Sequence, residues 1–408
     1  MSAHLTPSAQ RRRAALFVSF FMTGVSMATW VSRTPAIRDA TGSTTAEMGL
    51  IIAGLSAGSM VGIAVAGTLV ARRGARFVVL WGMAAIVTGV AVVALGTATA
   101  QGWLVAVGLA SFGYGMGSGE IGQNVEGVDV ERALRRTVVP SLHGSYSLGV
   151  CVGGLVGLGA SAAGLPVLTH LVAVSALTAV ASAALVANLA PAVGREDAAA
   201  GQRRRPLGET VGAFLAVWRE RRTLAIGVIV LGMALAEGSA NDWLPLIMVD
   251  GFDLSAATAS LVYAFFGLSM AIGRFSGGFF LDRFGRAPVM VVSAGLAIVG
   301  IGLVAFAPTA VLGAVGVLLW GIGASLGFPV ALSAAGDDPL NAARRVSAVA
   351  TAGYTAFLVG PPLLGFVGEH LTLRLAILLV MVLVAVSACF ARAVTPPVLV
   401  GPGEVESR

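Results

Sequence analysis

Two stretches decide the fold: Gly67-Thr68-Leu69-Val70-Ala71-Arg72-Arg73-Gly74-Ala75-Arg76 and Gly278-Phe279-Phe280-Leu281-Asp282-Arg283-Phe284-Gly285-Arg286. Each ends a long apolar run, and each carries the frame Gly-x-x-x-[Asp]-Arg-x-Gly, 211 positions apart. Two further echoes keep almost the same offset. Phe112-Gly113-Tyr114-Gly115, continuing to Gly119, matches Trp320-Gly321-Ile322-Gly323, continuing to Gly327, at 208 positions. Tyr146 matches Tyr354, again at 208. A near-constant offset at three places marks a duplicated unit.

The runs around these stretches are apolar enough to cross a bilayer. Of the 408 residues 57% are hydrophobic and 11% charged. A soluble chain is nearer ~45–50% apolar and ~25% charged, so a soluble enzyme, a disordered chain and a nucleic-acid binder are excluded. A spanning helix needs ~20 apolar residues. Twelve runs qualify: 14–32, 47–70, 77–97, 103–125, 141–163, 166–188, 223–245, 256–280, 287–307, 309–334, 346–368 and 372–391. Backbone polar groups in lipid must be satisfied within the segment, so runs of this length are helices. The alternating ~10-residue segments of a barrel are absent. The expected fold is an all-α membrane protein of twelve helices in two pseudo-symmetric six-helix bundles. Arg11, Arg12 and Arg13 precede an uncleaved first span rather than a secretory signal. Cys151 and Cys389 lie in apolar runs and read as small hydrophobes, not a disulfide framework.

Arginine sets the orientation, for the chain has no lysine. With the N-terminus inside, 22 of the 26 arginines fall on cytoplasmic segments and three outside: Arg33, Arg38 and Arg374. Arg274 lies within a span. The bias places both termini in the cytoplasm of a multi-pass plasma (inner) membrane protein. The expected units are an N-terminal bundle (1–190), a cytoplasmic central loop (191–222), a C-terminal bundle (223–392) and a cytoplasmic tail (393–408). Arg203, Arg204 and Arg205 in the loop serve as a topology anchor that also suits anionic lipid headgroups.

With the repeated loop frame, twelve spans and a long central break, the chain resembles the major facilitator superfamily over nearly its whole length. The resemblance implies two halves around a midplane cavity, rocking to expose it to each side in turn. It also implies that the loop residues act on conformational balance: Arg72, Gly74 and Arg76 after the second span, and Asp282, Arg283, Gly285 and Arg286 after the eighth. Ala71 and Ala75 depart from the frame, so the stronger latch is expected through Asp282, Arg283 and Arg286. Without lysine there is no Walker-type phosphate loop, so transport would be secondary and would need no cofactor.

Ionisable groups within spans are costly, which makes the few present informative. Glu120 and Asn124 share one face of the fourth span, with Gln123 beside them. Apolar surroundings disfavour a charged carboxylate, which suits Glu120 to proton exchange; a structural carboxyl bonded to a neighbouring helix is the alternative. Glu-x-x-x-Asn in this span resembles the fucose permease-like sugar–proton symporter branch, which implies a coupling or substrate role for Glu120. His143, at a similar depth on the fifth span, is a relay candidate or an interfacial hydrogen-bonder. In the seventh span, Glu237, Asn241, Asp242 and Trp243 offer carboxylates beside an aromatic platform for a polyol, or else an outer network with an interfacial tryptophan. Gly238 and Pro245 predict a bent or broken helix there. Arg274 needs a buried partner, a carboxylate first of all. Arg33 either snorkels outward or pairs with Asp242 or Glu237 as a gate. Tyr114, Tyr146, Tyr263, Trp320 and Tyr354 are cavity candidates that serve equally as packing.

The expected function is a proton-coupled secondary transporter of a small polar solute, a sugar or related metabolite. The expected partners are that solute, protons and membrane lipid, the state a monomer, and no nucleic acid is involved. Coupling is assigned to Glu120, His143 and Glu237, and substrate contact to Gln123, Asn124, Tyr146, Asn241, Asp242, Trp243 and Tyr354. A drug or metabolite efflux permease is the alternative, motivated by the scarcity of cavity charge. A non-transporting sensor or scaffold has little loop surface for partners, and an enzyme lacks a site, with His4, His143, His170 and His370 scattered.

Overall fold

The computed structural model describes residues 7–136, 138–195, 216–337 and 342–396. Arg203, Arg204 and Arg205, the rest of the central loop over 196–215, and the tail beyond 396 lie outside the described residues. The first half contains α1 (Ala9–Val31), the short α2 (Thr34–Thr41), α3 (Thr45–Arg73), α4 (Ala75–Ala98), α5 (Gly102–Leu134), α6 (Val139–Ala162) and α7 (Val167–Val186). The second contains α8 (Arg221–Phe252), α9 (Ala256–Phe284), α10 (Arg286–Phe306), α11 (Ala310–Ala324), α12 (Gly327–Ala335), α13 (Ala342–His370) and α14 (Leu373–Cys389). The helix starts are chemically marked. Thr44 and Glu47 form a reciprocal capping box at α3, and Ser8, Ser255, Thr309 and Thr372 accept backbone N–H groups at their helices.

Each expected span overlaps helical residues, with four departures. Among the described residues, ten helical stretches are long and apolar enough to cross a membrane, with Ala310–Ala335 taken as one across its short break. The expected fourth span lies in α5, whose 33 residues carry Glu120, Glu126, Asp129, Glu131 and Arg132 and so dilute its apolar character. The expected twelfth lies in α14, which has 17 residues. The tenth is divided, α11 ending at Ala324 and α12 starting at Gly327. The break predicted in the seventh span is absent: α8 runs unbroken through Pro245. Exposed apolar side chains such as Trp81, Trp103, Val180, Phe279 and Phe366 cover the outside of the bundle, an apolar surface that suits lipid.

The internal repeat is structural. In the first half α1 packs on α6 and α7, α3 on α5, and α4 on α5 and α7. In the second half α8 packs on α13 and α14, α9 on α11, and α10 on α11 and α14, the same pairings in the same order. The halves meet where α6 crosses α9 and α3 crosses α13, two contacts that the repeat interchanges. The repeated loop glycines hold one conformation in both copies: φ is +88° at Gly74 and +78° at Gly285, each the single residue between two helices. A side chain is strained there, which accounts for the glycine in the frame. Close helix approach supplies the packing. A β-carbon at Gly113 would lie 1.8 Å from the Leu55 carbonyl oxygen, and one at Gly58 1.9 Å from that of Ala110, so α3 and α5 touch backbone to backbone.

Successive helices alternate direction, which defines two faces of the bundle. On the terminal face, where the chain begins, Arg12 donates to Glu126 at 2.7 Å and to Asp129 at 2.6 Å. Asp337 there accepts from both Arg222, at 2.8 Å, and Arg286, at 2.7 Å. On the far face Arg374 donates to the carbonyls of Gly251, Val304 and Ala307, gathering three helix ends. Among the described residues, the polar contacts between halves run from mid-bundle to this far face. Arg38 pairs with Asp250, and Glu369 accepts from the Thr45 and Ala46 N–H groups at 2.8 and 3.2 Å. Ser260 donates to the Ser32 carbonyl at 3.1 Å, and Ser56 to that of Phe357 at 2.7 Å. These contacts bridge the two halves at the far face.

Candidate substrate and coupling site

Arg274 on α9 is the centre of a polar cluster between the halves. Its Nη2 donates to Glu237 Oε1 of α8 at 2.7 Å, and its Nη1 to Ser147 Oγ of α6 at 2.7 Å. The ion pair therefore belongs to the second half but is tied to the first. Both side chains are only 14% exposed, so the charges are mutually neutralised in a largely apolar setting. Helical spacing aims the rest of the lining: Met270 and Arg274 lie four apart on α9, Glu237 and Asn241 four apart on α8, and Tyr146 and Val150 four apart on α6. Together with Ser147, Phe266 and Gly267 they line a cavity of about 10 Å³, roughly room for one water.

Several of the residues singled out from the sequence converge on this pair. Tyr146 lines the cavity and feels the charges of Glu237, Arg274, Glu120 and Asp242. Glu120, across the interface on α5, is within coulombic reach of Arg274 and Glu237, and it is solvent-exposed although protein surrounds it. Tyr354 on α13 is within reach of Glu120. His143 is within reach of Arg274, and its ring meets Phe20 edge-on at 5.1 Å. Asn241 lines the cavity and accepts from the Tyr263 hydroxyl at 2.9 Å. Asp242 is buried, at 6% exposure, and neither it nor Glu120 has a hydrogen-bond or ion-pair partner among the described residues. Asn124 Oδ1 is likewise buried and unpartnered.

Other expectations are corrected. Gln123 turns from the interface into the first half and donates to Ser19 Oγ of α1 at 2.7 Å, so packing claims its amide. Trp243 is fully buried beside Gly365 of α13, with its Nε1 unpartnered among the described residues, so its ring is not exposed as a platform in this conformation. Arg33 pairs with neither Asp242 nor Glu237; it donates to Ser161 Oγ at 3.0 Å and to the Leu165 carbonyl at 2.6 Å within its own half. The latch expected at Asp282 is not formed, because that carboxylate is exposed and unpartnered among the described residues. Arg283 lies over the Phe284 ring, and only Arg286 engages an acid, Asp337. In the first copy Arg72 is exposed, Arg76 is half-buried, and the loop is held instead by Ala75 N–H donating to the Val193 carbonyl at 2.8 Å.

The sequence reading missed Ser147, Asp337 and the far-face pairs of Arg38 with Asp250 and Glu369 with α3. Ser147 carries no charge signal, and the others are ordinary loop or helix-end charges until the fold brings their partners close.

The family profile described as the Major Facilitator Superfamily matches residues 15–355 and 226–407. A curated relative from Yersinia pestis, described as an uncharacterized MFS-type transporter, is 30% identical over 383 residues, covering 93% of this chain and 94% of its own. The crystal structure of a variant of the nucleoside transporter NupG superposes with a TM-score of 0.75 at 16% identity, covering 94% of this chain and 99% of that one. That of the transporter FucP in its outward conformation superposes at 0.64 with 17% identity, covering 94% and 99%. This chain belongs to the major facilitator superfamily and is a multi-pass membrane protein with that fold.

Proposed function

We propose that the protein is a proton-coupled secondary transporter of a small, hydroxyl-rich solute, working by alternating access between its two six-helix halves, 1–190 and 223–392. One observation carries the reading: an ion pair of Glu237 with Arg274, tied across the half interface to Ser147, with the unpaired Glu120 facing it from the other half. Protonation of Glu120 changes the charge facing Arg274, and so changes how strongly the halves attract one another. A site whose two sides differ in charge with protonation state is what coupling requires. Among the described residues, unpartnered oxygen acceptors lie around it, Glu120, Asp242 and Asn124 Oδ1, together with unpartnered donors, the Tyr146 and Tyr354 hydroxyls and the buried Trp243 Nε1. A mixed set of acceptors and hydroxyl or N–H donors suits a polar solute that offers both, such as a sugar or a nucleoside. The names of NupG and FucP, a nucleoside transporter and a fucose:proton symporter, support this class.

In this reading the arginine-rich terminal face is cytoplasmic in the inner membrane, both termini lie inside, and the monomer is the working unit. With the halves bridged at the far face, the conformation is inward-facing. The test is uptake of a panel of hexoses, pentoses and nucleosides into proteoliposomes with and without an inward proton gradient. The expected result is uptake of one class, accelerated severalfold by the gradient and abolished by a protonophore. Uptake indifferent to gradient and protonophore would overturn the coupling. Efflux of hydrophobic dyes with no uptake of any panel member would replace the solute class by that of an exporter.

A further inference from the structure

A second polar cluster lies inside the first half, away from the transport site, and it has the opposite character. Ser26 of α1 and Thr178 of α7 share a hydrogen bond at 3.1 Å, which fixes the register of these antiparallel helices. Moving toward the far face by two turns on each brings Arg33 level with His170, at ~1.5 Å per residue. Trp30, four residues after Ser26, shares the side of α1 that faces α7. Arg33 and His170 are within coulombic reach of one another. All three side chains are more than nine-tenths buried: Trp30 at 1%, Arg33 at 7% and His170 at 4% exposure.

None of the three has the partners its chemistry demands. Trp30 Nε1, Arg33 Nε and both ring nitrogens of His170 are buried without a hydrogen-bond partner among the described residues. The two bonds Arg33 makes go to a serine hydroxyl and a backbone carbonyl, both neutral. Among the described residues no carboxylate pairs with it, whereas Arg12, the other deeply buried arginine there, holds Glu126 and Asp129. A guanidinium is always charged, and an uncompensated charge at this depth is strongly unfavourable. Arginine and tryptophan are pure donors, and imidazole adds one N–H when neutral. The cluster is therefore rich in donors and poor in acceptors, the complement of a compact negative ion.

We propose that Trp30, Arg33 and His170 form a binding site for a small inorganic anion, buried between the end of α1 and the start of α7. A phospholipid headgroup carries the same negative charge, but the burial of all three donors favours an ion without acyl chains attached. The ion neutralises Arg33 and pins α1 to α7, which stabilises the first half as a unit.

The test is thermal unfolding of the full chain, purified in a non-ionic detergent, in sodium chloride against sodium gluconate at equal ionic strength. Chloride is expected to raise Tm saturably by about 3 °C, as a ligand of the native state does. His170→Leu and Trp30→Phe, which keep the packing, are expected to abolish or halve that rise. Arg33→Gln is expected to abolish it, and the other two variants carry the test if this one does not fold. Equal Tm in chloride and gluconate would overturn the proposal, as would a chloride effect unchanged in all variants. A His170-dependent rise seen only on adding phosphatidylglycerol would also overturn it, in favour of a lipid headgroup.

Discussion

The Arg274 guanidinium is the residue on which the transport account turns. Its pairing with Glu237 sets one acid and one base against each other inside a membrane protein, and removing one partner leaves the other charge buried. Arg274→Gln is therefore expected to cost about 3–5 kcal/mol, visible as a fall in Tm, and to stop uptake. The double variant Glu237→Gln/Arg274→Gln is expected to recover most of the stability and none of the uptake. Recovery of uptake as well would make the pair structural. That a buried arginine needs a carboxylate was legible in the sequence; which of Glu120, Glu237 and Asp242 it takes was not, because the choice depends on how α8 and α9 rotate against each other. Trp243 and Gln123 show the converse. Their types and spacing fit a solute site, but a single helix cannot reveal which neighbour it faces, and here α13 and α1 claim them.

At the scale of the element, the apolar runs and the repeated frame are read directly from composition, since lipid forces backbone bonds inside each segment. Their shading is subtler. Helix α5 coincides with the expected fourth span although its acids lower its hydropathy, and α8 stays whole because a proline costs one backbone bond without having to break the helix. The frame's glycines were legible and its acid was not: Gly74 and Gly285 occupy one left-handed slot, while Asp282 is exposed and Arg286 finds Asp337 instead. Packing of α3 on α5 rests on contacts that leave no space for a β-carbon. Gly113→Val is expected to destabilise the first half by roughly 1–3 kcal/mol or more, read as loss of the monodisperse peak in size-exclusion chromatography. Gly159→Ala, where a β-carbon meets open space, is expected to leave that peak intact.

At the scale of the whole molecule, the two halves are joined by α6 on α9 and α3 on α13, and polar contacts bridge them at the far face. Arg38 with Asp250 and Glu369 with the start of α3 span the interface at that end. None of these was legible in the sequence, because each partner lies more than 200 residues from the other and each is an unremarkable helix-end charge. Arg38→Ala combined with Glu369→Gln is expected to shift the population toward the outward-open state. A cysteine at Ser32, in a background lacking Cys151 and Cys389, reports the shift as severalfold faster labelling by an impermeant maleimide; an unchanged rate would show that the apolar crossing of α3 and α13 alone holds the far face shut. The opening of one face and the closing of the other matter only if protons and solute move together, and Glu120 is where that coupling is assigned. The direct measurement is solute-driven acidification of the lumen in pyranine-loaded proteoliposomes, comparing the wild type with Glu120→Gln. The wild type should acidify on addition of its solute, whereas Glu120→Gln should still bind the solute, seen as a reduced but measurable thermal shift, and move no protons. Acidification by Glu120→Gln at the wild-type rate would contradict the account.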